Sequence, residues 1–202
     1  FVATQARSKM SRRARTTTLR ASTAWLAGAT VVAGLGLVSD RPVLAGGGLT
    51  AYALGVAALF ALVPRVGPQQ LRWAGARLVQ LLAGLLWWVV TVGLLAASAY
   101  RGDPLPVHVI EALVVGAYAQ ILVASFAYLA PVLRGGGHAQ LGAGFAVTRS
   151  YPGLVLGNLA AVAALAGATT LMLVALVLWA GDLTWRALRL RAAATSSTGR
   201  TS

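Results

Sequence analysis

Four polar side chains are spaced to share one face of a single long apolar segment, and they are the residues of this chain best placed for chemistry. Separated by three, seven and seven positions, they are His108, Glu111, Tyr118 and Ser125. In an α-helix such spacings place side chains on the same side. Polar groups in an apolar helix usually face the interior of a bundle. We therefore expect this face to turn inward and to be where a cofactor would bind.

His108 and Glu111 stand three positions apart and allow two interpretations. Imidazole and carboxylate groups both bind metals and carry protons, so the pair could be half of a metal site, a proton relay or a pair beside a haem. Alternatively, the pair lies at the interface and caps the helix, because a helix N-terminus favours a carboxylate. Two such residues do not make a ligand set, and the sequence assigns no metal ligands.

The composition indicates which elements carry these residues. Hydrophobic residues make up 58% of the 202, charged residues 10%, and the mean hydropathy is +0.75. That leaves too little polar surface to coat a soluble domain. Five segments are long enough to cross a bilayer, are apolar all round and lack the alternation of a transmembrane barrel. The predicted fold is an all-α, polytopic transmembrane helix bundle with spans at 21–38, 42–63, 78–100, 107–133 and 152–180.

The charges predict an orientation. A basic segment, 1–20, precedes the first span, and further arginines lie between spans two and three and between spans four and five. By the positive-inside rule these regions are cytoplasmic, which predicts a multi-pass plasma-membrane protein with a cytoplasmic N-terminus. The polar tail, 181–202, conflicts with this scheme. It would lie outside, yet it contains Arg186, Arg189 and Arg191, so either the tail is an exception or the number of spans is wrong by one.

The net charge of +13 does not indicate nucleic-acid binding, because the basic residues are spread over several loops. The expected partner is the lipid bilayer. The absence of cysteine excludes disulfides and thiolate ligands. Because Phe1 is not an initiator residue, the chain is expected to be a fragment or to start at Met10, with a cleaved signal peptide as a third possibility.

Several uncharged residues lead to further expectations. The amides Gln80, Gln120 and Asn158 are expected to form hydrogen bonds between helices. The pair at 87–88, two tryptophans, is expected to pack in the core or face lipid, with the lining of a flat cofactor as the alternative. Three consecutive glycines, 46–48, are expected to delay the start of the second helix to Leu49.

Two segments carry a resemblance to a known family. They are 85–92 and 116–137, and the second contains the pattern Ser125-x-x-Tyr128-Leu129-x-Pro131-Val132. The region 78–167 resembles the membrane portion of bacterial multicopper oxidase and copper nitrite reductase-like proteins, which is itself similar to haem-copper oxidase subunit I. The resemblance implies a longer parent protein with histidine-bearing spans upstream. It also implies a soluble copper domain, or another respiratory subunit, as a partner on the outer side.

Two functional hypotheses follow. In the first, the chain is the membrane-embedded part of a copper- or haem-linked respiratory protein and is not clearly catalytic by itself. The cofactor, haem or copper, would then belong to the full-length protein. In the second, the chain is a transporter-like protein for a small solute or protons, or a purely structural membrane protein.

Overall fold

Long helices account for nearly all of the chain that the structure describes. The computed structural model describes residues 12–61, 68, 74–134 and 137–198. Within these ranges no strand occurs, and the all-α prediction is confirmed. The helices are α1 (Arg12–Val38), α2 (Pro42–Ala61), α3 (Ala76–Tyr100), α4, α5 (Gly137–Thr148), α6 (Tyr151–Leu165) and α7 (Thr169–Thr198), where α4 consists of Val107–Ala112, a π-helical part Leu113–Ala119 and Gln120–Arg134.

Five of these helices contain segments long and apolar enough to cross a membrane. The segments are Arg20–Val38, Pro42–Leu59, Ala76–Tyr100, Val107–Leu133 and Thr169–Ala192. Large apolar side chains such as Leu133 and Val177 are exposed on the outside of the bundle. In a hydrocarbon solvent this surface is favourable, and helices satisfy their own backbone hydrogen bonds there. The architecture is that of an integral membrane protein.

The first four predicted spans coincide with α1 to α4, although residues 62 and 63 of the second lie outside the described ranges.

The prediction that the glycines at 46–48 delay the start of the second helix to Leu49 is wrong, because α2 begins at Pro42. Proline suits the first turn of a helix, where its missing N–H is not needed. A Cβ on Gly46 would lie 2.6 Å from the Tyr100 ring. This glycine therefore allows α2 to pack closely against the end of α3.

The predicted fifth span, 152–180, is wrong, because two helices occupy it. The N–H of Gly167 donates to the carbonyl of Ala164, and the N–H of Ala168 donates to the carbonyl of Ala163. With Gly167 at φ 69°, these two bonds form a Schellman motif that ends α6. Helix α7 then starts at Thr169 and runs through the predicted polar tail as far as Thr198. Residues 199–202 lie outside the described ranges.

Neighbouring helices run antiparallel, which gives the bundle two chemically different ends. Helices α1, α3 and α6 start at one end, and α4 and α7 finish there. Of the described arginines, all but Arg41 and Arg101 lie toward this end, which we call the basic end. The opposite end, called the acidic end, has three carboxylates, those of Asp40, Asp103 and Glu111.

Candidate functional site

A cavity of about 500 Å³ opens at the acidic end, where the last turns of α3 meet the start of α4 and the end of α6. Its volume is in the range of small-molecule sites. Apolar side chains and a few polar ones line it together. The lining residues are Leu94, Ala97, Ser98, Arg101, Asp103, Pro104, Pro106, His108, Val109 and Leu165.

An ion pair and an imidazole supply most of the polar groups of this cavity. Nε of Arg101 donates to Oδ2 of Asp103 at 2.7 Å, and a terminal nitrogen of the same guanidinium donates to Oγ of Ser98 at 3.3 Å. The side chains of Arg101 and Asp103 are 62% and 54% exposed. Water screens such a pair, so it contributes little to stability and leaves its groups available to a ligand. His108 is exposed beside them.

The four residues predicted to share an inward face are not brought together. His108 lines the cavity, and Glu111 is half-buried one turn further along α4. Tyr118 is 45% exposed, with its ring 4.5 Å from that of Trp88. The hydroxyl of Ser125 donates to the carbonyl of Ile121 in its own helix at 2.7 Å. The predicted inward orientation of this face is therefore wrong, while a cofactor-binding role for the four residues stays a prediction.

The difference is already present in the first turns of α4, before its π-helical part, because Val109 and Ala112 are buried whereas His108 is exposed. The buried face of α4 runs through Val109, Ala112, Val115 and Gln120 and continues to Ala124 and Ala127. Leu122 and Leu129, which lie on the same face as Tyr118 and Ser125, are exposed.

Gln120, on the buried face of α4, belongs to a polar cluster in the middle of the bundle. Its side chain is fully buried. Nδ2 of Asn158 in α6 lies 3.5 Å from Oε1 of Gln120 and donates to the carbonyl of Leu154 at 2.8 Å. The indole N–H of Trp87 donates to Oδ1 of Asn158 at 2.9 Å. The predicted hydrogen bond between helices through Gln120 and Asn158 is confirmed, although it is long.

Two donors in this region have no hydrogen-bond partner among the described residues. They are Nε2 of Gln120 and Nε1 of Trp179 in α7, both buried. A Cβ placed on Gly157 would lie 3.1 Å from the Trp179 ring and 3.4 Å from Cδ of Gln120, so both side chains flank this glycine. Buried donors without partners are rare in native proteins, and they often occur where a protein has a functional role. These two donors make the cluster a candidate site for a group that accepts hydrogen bonds.

A second polar network joins α6 to α7 near the basic end. Oδ2 of Asp182 accepts from Arg186 at 2.6 Å and from the Ser150 hydroxyl at 2.9 Å. Ser150 also caps α6, because its Oγ accepts from the N–H of Gly153 at 2.8 Å. Arg186 additionally donates to the carbonyl of Thr148 at 3.0 Å. Asp182 and Arg186 were not among the predicted site residues, although an acid four positions before an arginine inside an apolar helix is a detectable signal.

The cavity, the mid-bundle cluster and the Asp182 network follow one line along the helices. We call this line, which follows α6, the seam. From Ser150 to Asn158 and from Asn158 to Leu165 the rise of α6 is about 10–12 Å each. The seam therefore presents polar groups at three depths. Between the cavity and the cluster it is closed by a small apolar layer of Ala112, Ala163, Ala164 and Met172.

The side chains that the structure describes contain no group of three or more His, Cys, Asp or Glu residues that could hold a metal ion. His138 lies in α5, but its side chain is not among those that the structure describes. Comparisons of the sequence with protein-family models and with curated proteins, and of the structure with solved structures, give no match.

Proposed function

We propose that this chain is a transporter-like membrane protein that passes a small, neutral, polar solute along the seam. One observation carries the proposal. The polar groups within the bundle lie at three depths on a single line that starts at an open cavity. Polar side chains inside a membrane bundle commonly mark the pathway of a substrate.

The chemistry of the mid-bundle cluster favours a neutral solute over an ion or a proton. Gln120, Asn158, Trp87 and Trp179 carry no charge and do not titrate at ordinary pH. A charged solute at this depth would meet no opposite charge and would lose several kcal/mol of hydration. A solute with hydroxyl or carbonyl oxygens would accept hydrogen bonds from Nε2 of Gln120 and Nε1 of Trp179.

The structure corresponds in this proposal to a closed state. Ala112, Ala163, Ala164 and Met172 block the seam between the cavity and the cluster. Helix α6 is the element suited to move, because it has only 15 residues and ends in the Gly167 turn. Small side chains on its buried face allow it to slide along α4 and α7 without large clashes.

The test is solute flux into liposomes containing the purified protein, with glycerol and urea as probes. Stopped-flow light scattering should show faster entry of at least one probe than into empty liposomes. Gln120→Leu should lower the protein-dependent rate about fivefold, the effect of losing one neutral hydrogen bond worth about 1 kcal/mol. Ser125→Ala is the matched control, because its hydroxyl bonds only within α4. Equal rates in wild-type and empty liposomes for both probes would refute the proposal.

We also propose an orientation. The protein lies in the plasma membrane, and its basic end faces the cytoplasm. This orientation agrees with the positive-inside rule. Helix α6 acts as a short sixth crossing, since it runs from the Asp182 network near the basic end to the cavity at the acidic end. With six crossings, Arg186, Arg189 and Arg191 return to the cytoplasmic side, which removes the conflict posed by the predicted outer tail.

The sequence resemblance supports a second proposal, that the chain is the membrane part of a copper- or haem-linked respiratory protein. The described side chains do not by themselves fit a bound metal. The ligands would then come from other segments or subunits, such as a soluble copper domain. A visible absorption spectrum and metal analysis of the purified protein test this proposal. A haem or copper signal would support it, and a colourless, metal-free protein would contradict it.

A further inference from the structure

Two arginines converge on the first turn of α3 at the basic end. Arg77 is only 1% exposed; its Nε donates to the carbonyl of Ala74 at 3.2 Å, and its guanidinium carbon lies 4.2 Å from the centre of the Phe145 ring. Arg149, which follows α5, is exposed and reaches the same turn. A Cβ on Gly75 would lie 2.7 Å from Nε of Arg149. The Arg149 side chain therefore fits at this position because Gly75 has no side chain.

The charge around this pair is strongly unbalanced. The whole sequence has four carboxylate side chains, and three of them, Asp40, Asp103 and Glu111, belong to the acidic end. The fourth, Asp182, already binds Arg186 and Ser150. The basic end therefore carries a net positive charge, and near apolar surroundings that charge attracts an anion more strongly than it would in water.

We propose that Arg149 and Arg77 form a binding site for the phosphate group of an anionic phospholipid. A guanidinium group presents planar donors that match phosphate oxygens, and basic pockets between transmembrane helices are known places for phospholipid headgroups. The exposed Arg149 contacts the phosphate directly. The buried Arg77, held by Ala74 and Phe145, adds fixed positive charge behind it.

The chain offers a matched control at the same end of the bundle. Arg189 in α7 is exposed, and its guanidinium carbon lies 4.9 Å from the centre of the Trp185 ring. Removing its charge changes the net charge as much as removing that of Arg149. A general attraction between the basic end and anionic lipid predicts equal effects of the two substitutions, whereas a specific site predicts unequal ones.

The experiment measures binding of phosphatidylglycerol to the purified full-length chain in detergent micelles, by thermal unfolding followed through tryptophan fluorescence. Phosphatidylcholine and inorganic phosphate are the comparison ligands. Phosphatidylglycerol should raise the unfolding temperature, and the other two should not. Arg149→Gln should weaken phosphatidylglycerol binding about tenfold, as expected for the loss of a charge-assisted hydrogen bond. Arg189→Gln should leave binding within about twofold of wild type.

Three results would overturn the proposal. An equal loss of binding in Arg149→Gln and Arg189→Gln would show general attraction. An equal response to inorganic phosphate would identify the ligand as the free anion instead of the lipid. Phosphatidylcholine binding as strong as that of phosphatidylglycerol would exclude recognition of anionic lipid. If Arg149→Gln does not fold, Arg149→Lys keeps the charge but not the planar donors, and it should still bind more weakly than Arg189→Gln.

Discussion

At the scale of residues, the Asp182–Arg186 and Arg101–Asp103 ion pairs differ in their surroundings. The side chains of Asp182 and Arg186 are 21% and 10% exposed, and both make further hydrogen bonds. The side chains of Arg101 and Asp103 are more than half exposed. A half-buried carboxylate that neutralises a buried guanidinium cannot be removed without leaving an uncompensated charge, whereas an exposed pair can be hydrated.

Asp182→Asn should therefore destabilise the protein by about 3 kcal/mol, because Arg186 loses its countercharge in a poorly hydrated place. The free energy of unfolding is measured by titrating the protein from mixed micelles into sodium dodecyl sulfate. Asp103→Asn is the control, with an expected loss below about 1 kcal/mol. Similar losses in the two variants would mean that the Asp182 pair is as well hydrated as the Arg101 pair.

Some of the site residues could be predicted from the sequence because their chemistry is local. Gln120 and Asn158 are amides within long apolar segments, and an amide at such a depth must find a partner. Asp182 was missed because the fifth span was predicted to end at residue 180, which assigned Asp182 to a polar tail. The partnerless donor of Trp179 depends on how three helices pack, and no local pattern of residues determines that.

At the scale of elements, the positions of α1 to α4 could be predicted because bilayer thickness fixes the length of an apolar span. The face that each helix buries could not be predicted from the sequence. Leu113–Ala119 contains ordinary apolar residues, and nothing in it marks a π-helix. The end of α6 at Gly167 was also missed, because a single glycine in an apolar run is compatible with a continuing membrane helix.

Close packing of α1 against α2 depends on Gly36 of α1 and not on Gly34. A Cβ on Gly36 would lie 2.6 Å from Cα of Ala45, whereas a Cβ on Gly34 would meet nothing within 4 Å. Gly36→Ala should therefore force the helices apart and destabilise the protein by about 1–3 kcal/mol. Gly34→Ala should be neutral or slightly stabilising. The same titration measures both variants, and equal stabilities would show that the two helices are not in close contact at Gly36.

At the scale of the whole molecule, the arrangement of charge and the number of crossings depend on each other. Arg77, Arg149 and Arg186 come from three different parts of the sequence, yet the antiparallel helices bring them to one end. A five-crossing protein would place the end of α7 opposite to the start of α1. With α6 as a sixth crossing, both helices have their basic termini on the same side, as the positive-inside rule requires.

The six-crossing topology predicts that a reporter fused after Ser202 lies in the cytoplasm. Green fluorescent protein at that position should fluoresce, and alkaline phosphatase at the same position should be inactive, because it folds only outside the cytoplasm. Alkaline phosphatase inserted after Gly102, in the turn between α3 and α4, is the control and should be active. An active phosphatase after Ser202, together with an active control, would mean that α6 does not cross the membrane and that the arginines of α7 are an exception to the charge rule.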